Sequence, residues 1–277
     1  MVSRHAASRY VQPLREGGSL PAVVDTEDGG LFVVKFRGAG QGAKVLIAEL
    51  IVGGLALALG LPTPDLALVH LSSRFGRSEP DPEIQELLRR SHGTNVGLRY
   101  LEGAFNFDPS AAGELISPEL AARIVWLDAL STNPDRTHRN PNLMVWQRRP
   151  WLIDHGAALY AHHDWPSVDD ARTRSPFPLI RSHVLLAAAG DLAAADASSA
   201  DLLSGNAIAD VVATVPDDLL MDPAAGSGDF PSAGAARTRY ARYLTERLAA
   251  RHIWLAAATT AQAQLRIETP QHLKARR

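Results

Sequence analysis

Two short apolar runs in the middle of the chain, residues 143–146 and 151–153, constrain its fold most strongly. A polar break of four residues separates them, and this pattern predicts a β-hairpin. The second run ends at Asp154, while the loop before the first run carries Asp135 and, five residues later, Asn140. Because a hairpin brings its two ends together, we expect Asp154 to lie beside the loop that carries Asp135 and Asn140.

Two carboxylates and a carboxamide at one end of a hairpin form a set of hard oxygen ligands. Mg²⁺ suits such a set because it binds a few carboxylates together with phosphate oxygens and water. Kinases use these side chains for phosphoryl transfer: one Asp orients the attacking hydroxyl, and an Asn and a second Asp hold the metal. The alternative is that Asn-Pro-Asp and Asn-Pro-Asn form turns and nothing more. The sequence Asp154-His155-Gly156 at a strand end favours the metal–phosphate site.

A lysine in a β-prone run is the second indication of a nucleotide site. The chain has three lysines, and Lys35 lies in the run 31–36, which predicts a strand. A turn signal at 28–30 and the glycine-rich segment 16–19 precede it. Backbone amides of a glycine-rich loop can cradle phosphates, and a strand lysine can reach them. The alternative is an edge strand whose lysine is solvated.

A single acid within an apolar helix is the third indication. A helix is predicted over 41–60; residues 43–59 are apolar on nearly every face, and Gly60, followed by two nearby prolines, ends the helix. Glu49 is the one acid inside it. A buried charge without a partner is costly, so Glu49 needs a cation or a place at the helix surface. Lys35 is the predicted partner, as in the lysine–glutamate pair of kinases. The alternative is an exposed polar stripe on the helix.

The order of these features along the chain resembles that of the protein-kinase-like superfamily. It runs glycine-rich loop, strand lysine, helix glutamate, D-x-x-x-x-N, hairpin and aspartate. The D-R-x-x-x-N form at Asp135 and the I-D-H-G form that contains Asp154 are similar to the HipA-like and phosphatidylinositol 3/4-kinase-like branch. Ordinary protein kinases carry H-R-D and D-F-G at these places. The resemblance extends over residues 10–165.

The resemblance implies an α+β, protein-kinase-like fold with two lobes. Residues 1–103 would form an N-lobe with a β-sheet and one long helix, and residues 104–277 a mostly helical C-lobe. ATP and Mg²⁺ would bind between the lobes.

The resemblance also implies roles for individual residues. Asp135 would be the catalytic base, and Asn140 and Asp154 would complete the catalytic set as the metal ligands. The nucleotide would contact the glycine-rich loop, the lysine–glutamate pair and the segment that joins the lobes. These cofactor-binding residues are Gly17, Gly18, Ser19, Lys35, Glu49, Tyr100 and Leu101.

The predicted activity is ATP- and Mg²⁺-dependent transfer of the γ-phosphoryl group to a hydroxyl of an unidentified acceptor, for which we expect a protein. Two alternatives stay open: a non-catalytic nucleotide-binding or partner-binding module on a kinase-like fold, and a lipid or small-molecule kinase. The three filled catalytic positions disfavour the binding module. Kinases of the aminoglycoside and choline type usually carry H-x-D where this chain reads Asn-Pro-Asp.

Composition disfavours several other classes of function. A net charge of −2 over 277 residues gives no general attraction to nucleic acid or to an anionic membrane. The chain has no cysteine, so it has neither a disulfide framework nor a thiolate site. The N-terminus lacks a signal-peptide core, and charges within 41–60 argue against a membrane span. We therefore expect a cytoplasmic protein, and the richness in Ala and Arg suggests a GC-rich bacterial genome.

The rest of the chain predicts further elements. Ser117 and Pro118 begin a helix that runs to about Leu130. Strands are expected at 65–71 and 96–101, a short helix at 83–90, longer helices at 176–190, 199–213 and 234–263, and a flexible linker at 222–234. The sequence His162-His163-Asp164 is expected to be loop surface, because three adjacent residues do not readily face one ion.

Overall fold

The structure is a computed structural model, and it describes residues 2–14, 20–40, 42–111, 115–223 and 229–268. The first part contains β1 (Ser3–Pro13), β2 (Ala22–Thr26), β3 (Leu31–Lys35), α1 (Ala43–Ala58), β4 (Leu66–Leu71), α2 (Pro82–Arg90) and β5 (Gly93–Arg99). The second part contains β6 (Phe105–Asn106), α3 (Pro118–Leu130), β7 (Leu143–Trp146), β8 (Arg149–Leu152), α4 (Asp170–Thr173), α5 (Leu192–Ala200), α6 (Ala207–Ala213), α7 (Asp217–Leu220), α8 (Ala233–Ala249) and α9 (Arg251–Glu268). The fold is α+β, as predicted.

The five strands of the first part close into a barrel in the order β1-β2-β3-β5-β4. β1 closes it because it pairs antiparallel with β2 and parallel with β4. Side chains at alternate strand positions, among them Val24, Phe32, Val34 and Val69, form one buried cluster. The sequence did not predict β1, because this strand exposes most of its side chains and shows no apolar alternation.

Lys35 lies at the end of an inner strand of this barrel. β3 pairs with β2 on one side and with β5 on the other, and Lys35 itself is opposite Val96 of β5. Only 5% of Lys35 is exposed. The alternative of a solvated lysine on an edge strand is therefore wrong.

Helix α1 connects the barrel to the second part of the chain. It begins and ends two residues inside the predicted range 41–60, and Gly60 follows it with a left-handed φ of 67°. It contacts β4 and β5 on the barrel side and α6 and α7 on the other. Its buried side chains belong to the same hydrophobic core as those of α3. A helix buried on both sides is apolar on nearly every face, as the sequence shows.

The predicted hairpin is present and belongs to a three-stranded sheet in the order β6-β7-β8. Its turn is shorter than the polar break in the sequence, because Arg149 and Pro150 already pair within β8. Gln147 and Arg148 form the turn with φ values of 50° and 62°. Positive φ at both central residues is the geometry that matches the twist of a two-residue hairpin.

The helices after the hairpin differ from the predicted ones. The range 176–190 has a 3₁₀ turn at Pro178–Ser182 and then turns without a helix, because His183 bonds Asp128 and pairs with Thr137. The range 199–213 is divided among the end of α5, a 3₁₀ turn and α6, and the range 234–263 among α8 and α9, which meet at Ala250. The predicted linker falls partly outside the described residues. Within the described part of the chain, no helix has the length and hydropathy needed to cross a bilayer.

Candidate active site

A buried ion cluster joins the barrel, α1 and the loop after the hairpin. Lys35, at the end of β3, donates to Glu49 Oε2 at 2.6 Å and to Asp154 Oδ1 at 2.5 Å. Glu49 comes from the middle of α1, and its side chain has no exposed surface. The predicted contact between Lys35 and Glu49 is thus present, and the alternative of an exposed Glu49 is wrong.

Glu49 also fixes the position of the loop that carries Asp154. The same oxygen that bonds Lys35 accepts the backbone N–H of His155 at 2.9 Å. Its other oxygen, Oε1, is buried without a hydrogen-bond partner among the described residues. The Glu49 carboxylate on α1 therefore holds both the Lys35 side chain and the backbone next to Asp154 in position.

The cluster shifts the pKa values of its members. Burial acts to lower the pKa of Lys35, but Glu49 and Asp154 outweigh it and hold this pKa above its ordinary value. Burial raises the pKa of Glu49, and Lys35 opposes that rise. Burial also acts to raise the pKa of Asp154, but Lys35 outweighs it and the pKa is lowered. Lys35 and Asp154 are therefore both charged near neutral pH.

Asp135 lies in a short loop that its own neighbours hold in place. Asp135 Oδ2 accepts from Asn140 Nδ2 at 2.7 Å and from Asn142 Nδ2 at 3.0 Å. The Asp135 N–H donates to Asn133 Oδ1 at 3.1 Å. The loop also brings Thr137 N–H to the Asn140 carbonyl at 3.0 Å. The five-residue spacing between Asp135 and Asn140 is thus the spacing that lets the two side chains meet.

Backbone contacts tie this loop to Asp154. The Ile153 N–H donates to the Asn142 carbonyl at 3.1 Å, so Asp154 follows directly after a residue bonded to the Asp135 loop. Asp154 itself has a left-handed φ of 54°. Non-glycine residues in this region carry strain that persists only where surrounding contacts impose it, and such residues cluster at functional sites.

Arg136, the arginine of the D-R-x-x-x-N form, is buried beneath both loops. It donates to Asp128 at 2.6 Å, to His155 Nδ1 at 3.3 Å, and to the carbonyl of Asn142. Asp128, on α3, also accepts from His183 at 2.9 Å. Although burial acts to raise the pKa of Asp128, Arg136 and His183 hold it well below its ordinary value.

Asp128 lies inside the predicted helix that begins at Ser117, and no motif in the sequence connects it to the site. An acid inside an apolar helix is the same signal that singled out Glu49, and it could have identified Asp128 as well. His183 carries no such signal, since it lies in a segment that the sequence predicted as a helix.

The chemistry of the donor set fits Mg²⁺ held together with nucleotide phosphates. Asp154 gives one oxygen to Lys35, and 43% of its side chain stays exposed. Asn140 donates its amide N–H to Asp135, and its Oδ1 is the atom that would bind a metal. Among the described residues, no three His, Cys, Asp or Glu side chains come together as a metal cluster. A site here rests on few protein oxygens, which is usual for Mg²⁺ bound with phosphates.

The remaining predicted residues have different positions. Gly17, Gly18 and Ser19 lie outside the described residues. Tyr100 and Leu101 directly follow β5, which begins and ends earlier than the predicted strand 96–101. The Tyr100 N–H donates to the Leu31 carbonyl at 2.9 Å, and the Leu101 carbonyl accepts from Ala104. Their contact with a nucleotide stays a prediction.

Comparison with known proteins gives one family match and a structural match. A family model described as HipA-like kinase matches residues 8–170. No curated protein matches the chain. Among solved structures, a proinflammatory kinase of Helicobacter pylori, CtkA, superposes with a TM-score of 0.54 at 13% identity, covering 98% of this chain and 100% of that one. At this identity the match shows a shared fold.

Proposed function

This chain belongs to the HipA-like kinase family, and from that premise we propose that it is an ATP- and Mg²⁺-dependent phosphotransferase. It transfers the γ-phosphoryl group of ATP to a hydroxyl, and its acceptor is a protein. The observation that carries the proposal is the contact of Lys35 with both Glu49 and Asp154. This contact joins a strand lysine, a helix glutamate and a candidate metal ligand at one point, as phosphoryl transfer requires.

In the proposed mechanism Lys35 binds the phosphates of ATP, the phosphoryl donor. Its ammonium stays charged because Glu49 and Asp154 raise its pKa, and it attracts the phosphate oxygens of the nucleotide. Asn140 and Asp154 would hold Mg²⁺, and the ion would supply positive charge that neutralises the phosphates. Gly17, Gly18 and Ser19 contribute backbone amides, and Tyr100 and Leu101 line the adenine.

In the same mechanism Asp135 acts on the hydroxyl of the acceptor. Asn140 and Asn142 both donate to its Oδ2, which fixes the carboxylate plane and leaves Oδ1 to accept the proton of the attacking hydroxyl. Arg136 does not contact substrate in this proposal. It positions the Asp135 loop by bonding the Asn142 carbonyl and Asp128 from below.

The two-lobed division belongs to the same proposal. Residues 1–103, the barrel with α1, form the lobe that holds the donor, and residues 104–277 form the lobe that holds the acceptor. Lys35 and Glu49 come from the first lobe and Asp135, Asn140 and Asp154 from the second, so the reaction takes place where the lobes meet.

Two isosteric variants test the assignment of roles. Asp135→Asn keeps the size of the side chain and removes its basicity, so we expect ATP·Mg²⁺ affinity to stay at the wild-type value while turnover falls by about 10²–10⁴-fold. Asp154→Asn removes a charge next to the metal, so we expect it to weaken nucleotide affinity in the presence of Mg²⁺. Calorimetry and an ATP-turnover assay measure both quantities. Asp210→Asn, an exposed acid on α6, is the matched control.

Nucleotide binding without phosphoryl transfer would contradict the catalytic proposal. If wild-type protein binds ATP·Mg²⁺ but labels no protein, lipid or metabolite pool, the chain is a binding module. If ATP affinity is the same with and without Mg²⁺ in wild type and in Asp154→Asn, the metal assignment fails separately.

A further inference from the structure

A cavity of about 380 Å³ lies directly beside the loop that carries Asp135. Thr132 and Pro134, from the same loop, form one wall. Tyr160, from the segment after Asp154, lines another side, and Phe177 and Leu179 belong to the segment around the 3₁₀ turn. The cavity therefore touches the Asp135 loop and the segment that follows the Asp154 loop, and it does not include the predicted catalytic residues.

The mouth of this cavity is lined by large apolar side chains that water reaches. Tyr160 is 61% exposed and Leu179 is 58% exposed. Tyr243 of α8 and the two prolines that flank Phe177 extend the same lining. Exposed apolar residues that converge on a cavity indicate a surface that another molecule covers.

Thr132 gives a second, independent indication of a ligand. Its φ is 53°, and a β-branched residue in the left-handed region is a strained outlier. Its Oγ1 is buried and has no hydrogen-bond partner among the described residues. The hydroxyl has no surface in the cavity as it stands, but Thr132 lines the cavity, and a change of its χ1 rotamer would let the hydroxyl bond a polar group that enters there, which removes the cost of the unpaired donor.

The charge of the cavity is positive. Arg172 and Arg247 are the charged residues that line it, and none of the described lining residues is acidic. Arg247 is 1% exposed and bonds backbone carbonyls only, among them those of Ala129 and Leu130 at the end of α3. Arg172 pairs with the exposed Asp164 at 3.5 Å. The cavity therefore disfavours a lysine or arginine side chain and favours an acid nearby.

We propose that this cavity binds an apolar side chain of a polypeptide acceptor, close to the hydroxyl that Asp135 activates. The Thr132 hydroxyl bonds a backbone group of the same segment, and Arg172 favours an acidic neighbour. This inference rests on the proposed kinase function and adds to it a sequence preference in the acceptor: one apolar position at a fixed distance from the phosphorylated serine or threonine, with basic residues excluded there.

A positional-scanning library of serine and threonine peptides with labelled ATP tests this inference. Wild type should select aromatic or branched aliphatic residues at one position and reject Lys and Arg at that position. Leu179→Asp and Tyr160→Ala, both at exposed side chains, should raise the KM for the selected peptide about tenfold or more and flatten that selection. Thr132→Val, which keeps the shape and removes the hydroxyl, should slow all peptides alike without changing the selected position.

Leu202→Asp is the matched control, because Leu202 is 49% exposed and does not line the cavity. It should keep the wild-type selection, and thermal melting checks that every variant is folded. The inference is overturned if wild type shows no apolar preference, if Leu179→Asp behaves as Leu202→Asp does, or if only metabolites are labelled. In each of these cases ATP turnover persists and the proposed phosphotransferase activity stands, although labelling of metabolites alone also contradicts a protein acceptor. Absence of ATP turnover with any acceptor instead contradicts the kinase proposal itself, and the acceptor site falls with it.

Discussion

At the scale of single residues, the Lys35–Glu49 pair determines both stability and chemistry. Glu49 has no exposed surface, and Lys35 is its cationic partner. Removing one partner of a buried pair leaves an uncompensated charge, which costs about 3–5 kcal/mol. We therefore expect Lys35→Met to lower the free energy of unfolding by that amount in urea denaturation.

The double variant Lys35→Met/Glu49→Leu is the comparison that isolates this effect. It removes both charges and replaces them with apolar groups, so it should be more stable than Lys35→Met alone, even though it carries one more substitution. Both variants should lose ATP-dependent turnover. Stability losses that simply add would show that the buried charge of Glu49 is not the cause.

The burial of His162 predicts that the free energy of unfolding depends on pH. The prediction of loop surface is wrong at His162, which is fully buried and bonds the Tyr240 hydroxyl at 3.1 Å. Burial, with the nearby charges of His163 and Lys44, holds its pKa well below its ordinary value. In the unfolded chain a histidine has a pKa of about 6.5. Below that pH the unfolded state binds a proton that the folded state does not, so stability falls as pH falls and is flat above it.

The expected slope from one such histidine approaches about 1.4 kcal/mol per pH unit. Urea denaturation at several pH values between 7.5 and 5.5 measures it. His162→Gln should reduce the slope, whereas His252→Gln, at an exposed position of α9, is the matched control. Equal slopes in the two variants would show that the burial of His162 does not contribute.

At the scale of elements, the sequence predicted the parts whose local signals agree with their packing. The hairpin, α1 and α3 were predicted because apolar runs, a helix stop at Gly60 and the Ser117–Pro118 start all point the same way. β1 was missed because it is polar and is held by its two neighbouring strands. The range 176–190 was wrongly predicted as a helix because a tertiary contact of His183 outweighs local propensity.

One part of the candidate site could be predicted from the sequence, and another part could not. The spacing of acids and amides at a hairpin end can be read from the sequence, as it is for Asp135, Asn140 and Asp154. The contacts beneath them cannot be read in this way, because Arg136 also bonds His155, 19 residues away, and Asp128 bonds His183, 55 residues away, and these groups meet only in the fold. The turn at Gln147 and Arg148 also lacks the usual Asn-Gly signal, so its length was overestimated.

Gly156 controls how closely α1 approaches the Asp154 loop. A Cβ at this position would lie 2.4 Å from Val45 Cγ1, a distance at which either the Val45 side chain or one of the two elements must shift. Gly156→Ala should therefore displace the loop from α1, cost about 1–3 kcal/mol of stability and weaken nucleotide binding. Urea denaturation and calorimetry with ATP·Mg²⁺ measure the two effects.

A second substitution in the same contact gives the control for Gly156→Ala. Val45→Ala removes the methyl group that the new Cβ would meet, so the double variant Gly156→Ala/Val45→Ala should regain part of the lost stability and affinity. Gly40→Ala, where a Cβ meets nothing within 4 Å, should change neither quantity. Losses that add in the double variant would show that the close approach of α1 is not the cause.

At the scale of the whole molecule, α1 links two parts that the chain order separates. Its core is continuous with that of α3. A Cβ at Gly54 would lie 2.7 Å from Val211 of α6, so the two helices are in close contact. Arg37, just after β3, pairs with Asp218 at 3.2 Å and with Asp222. Parts joined by one core and by ion pairs are expected to unfold together.

The position of the tryptophans makes this cooperativity measurable. All five lie between residues 126 and 254, so their fluorescence reports on the second part of the chain. Leu71→Ala removes a fully buried side chain from the barrel and should cost about 2–5 kcal/mol. We expect it to shift the urea midpoint by fluorescence as much as by circular dichroism. If the fluorescence midpoint stays at its wild-type value while the dichroism midpoint falls, the barrel unfolds separately, and α1 does not couple the two parts.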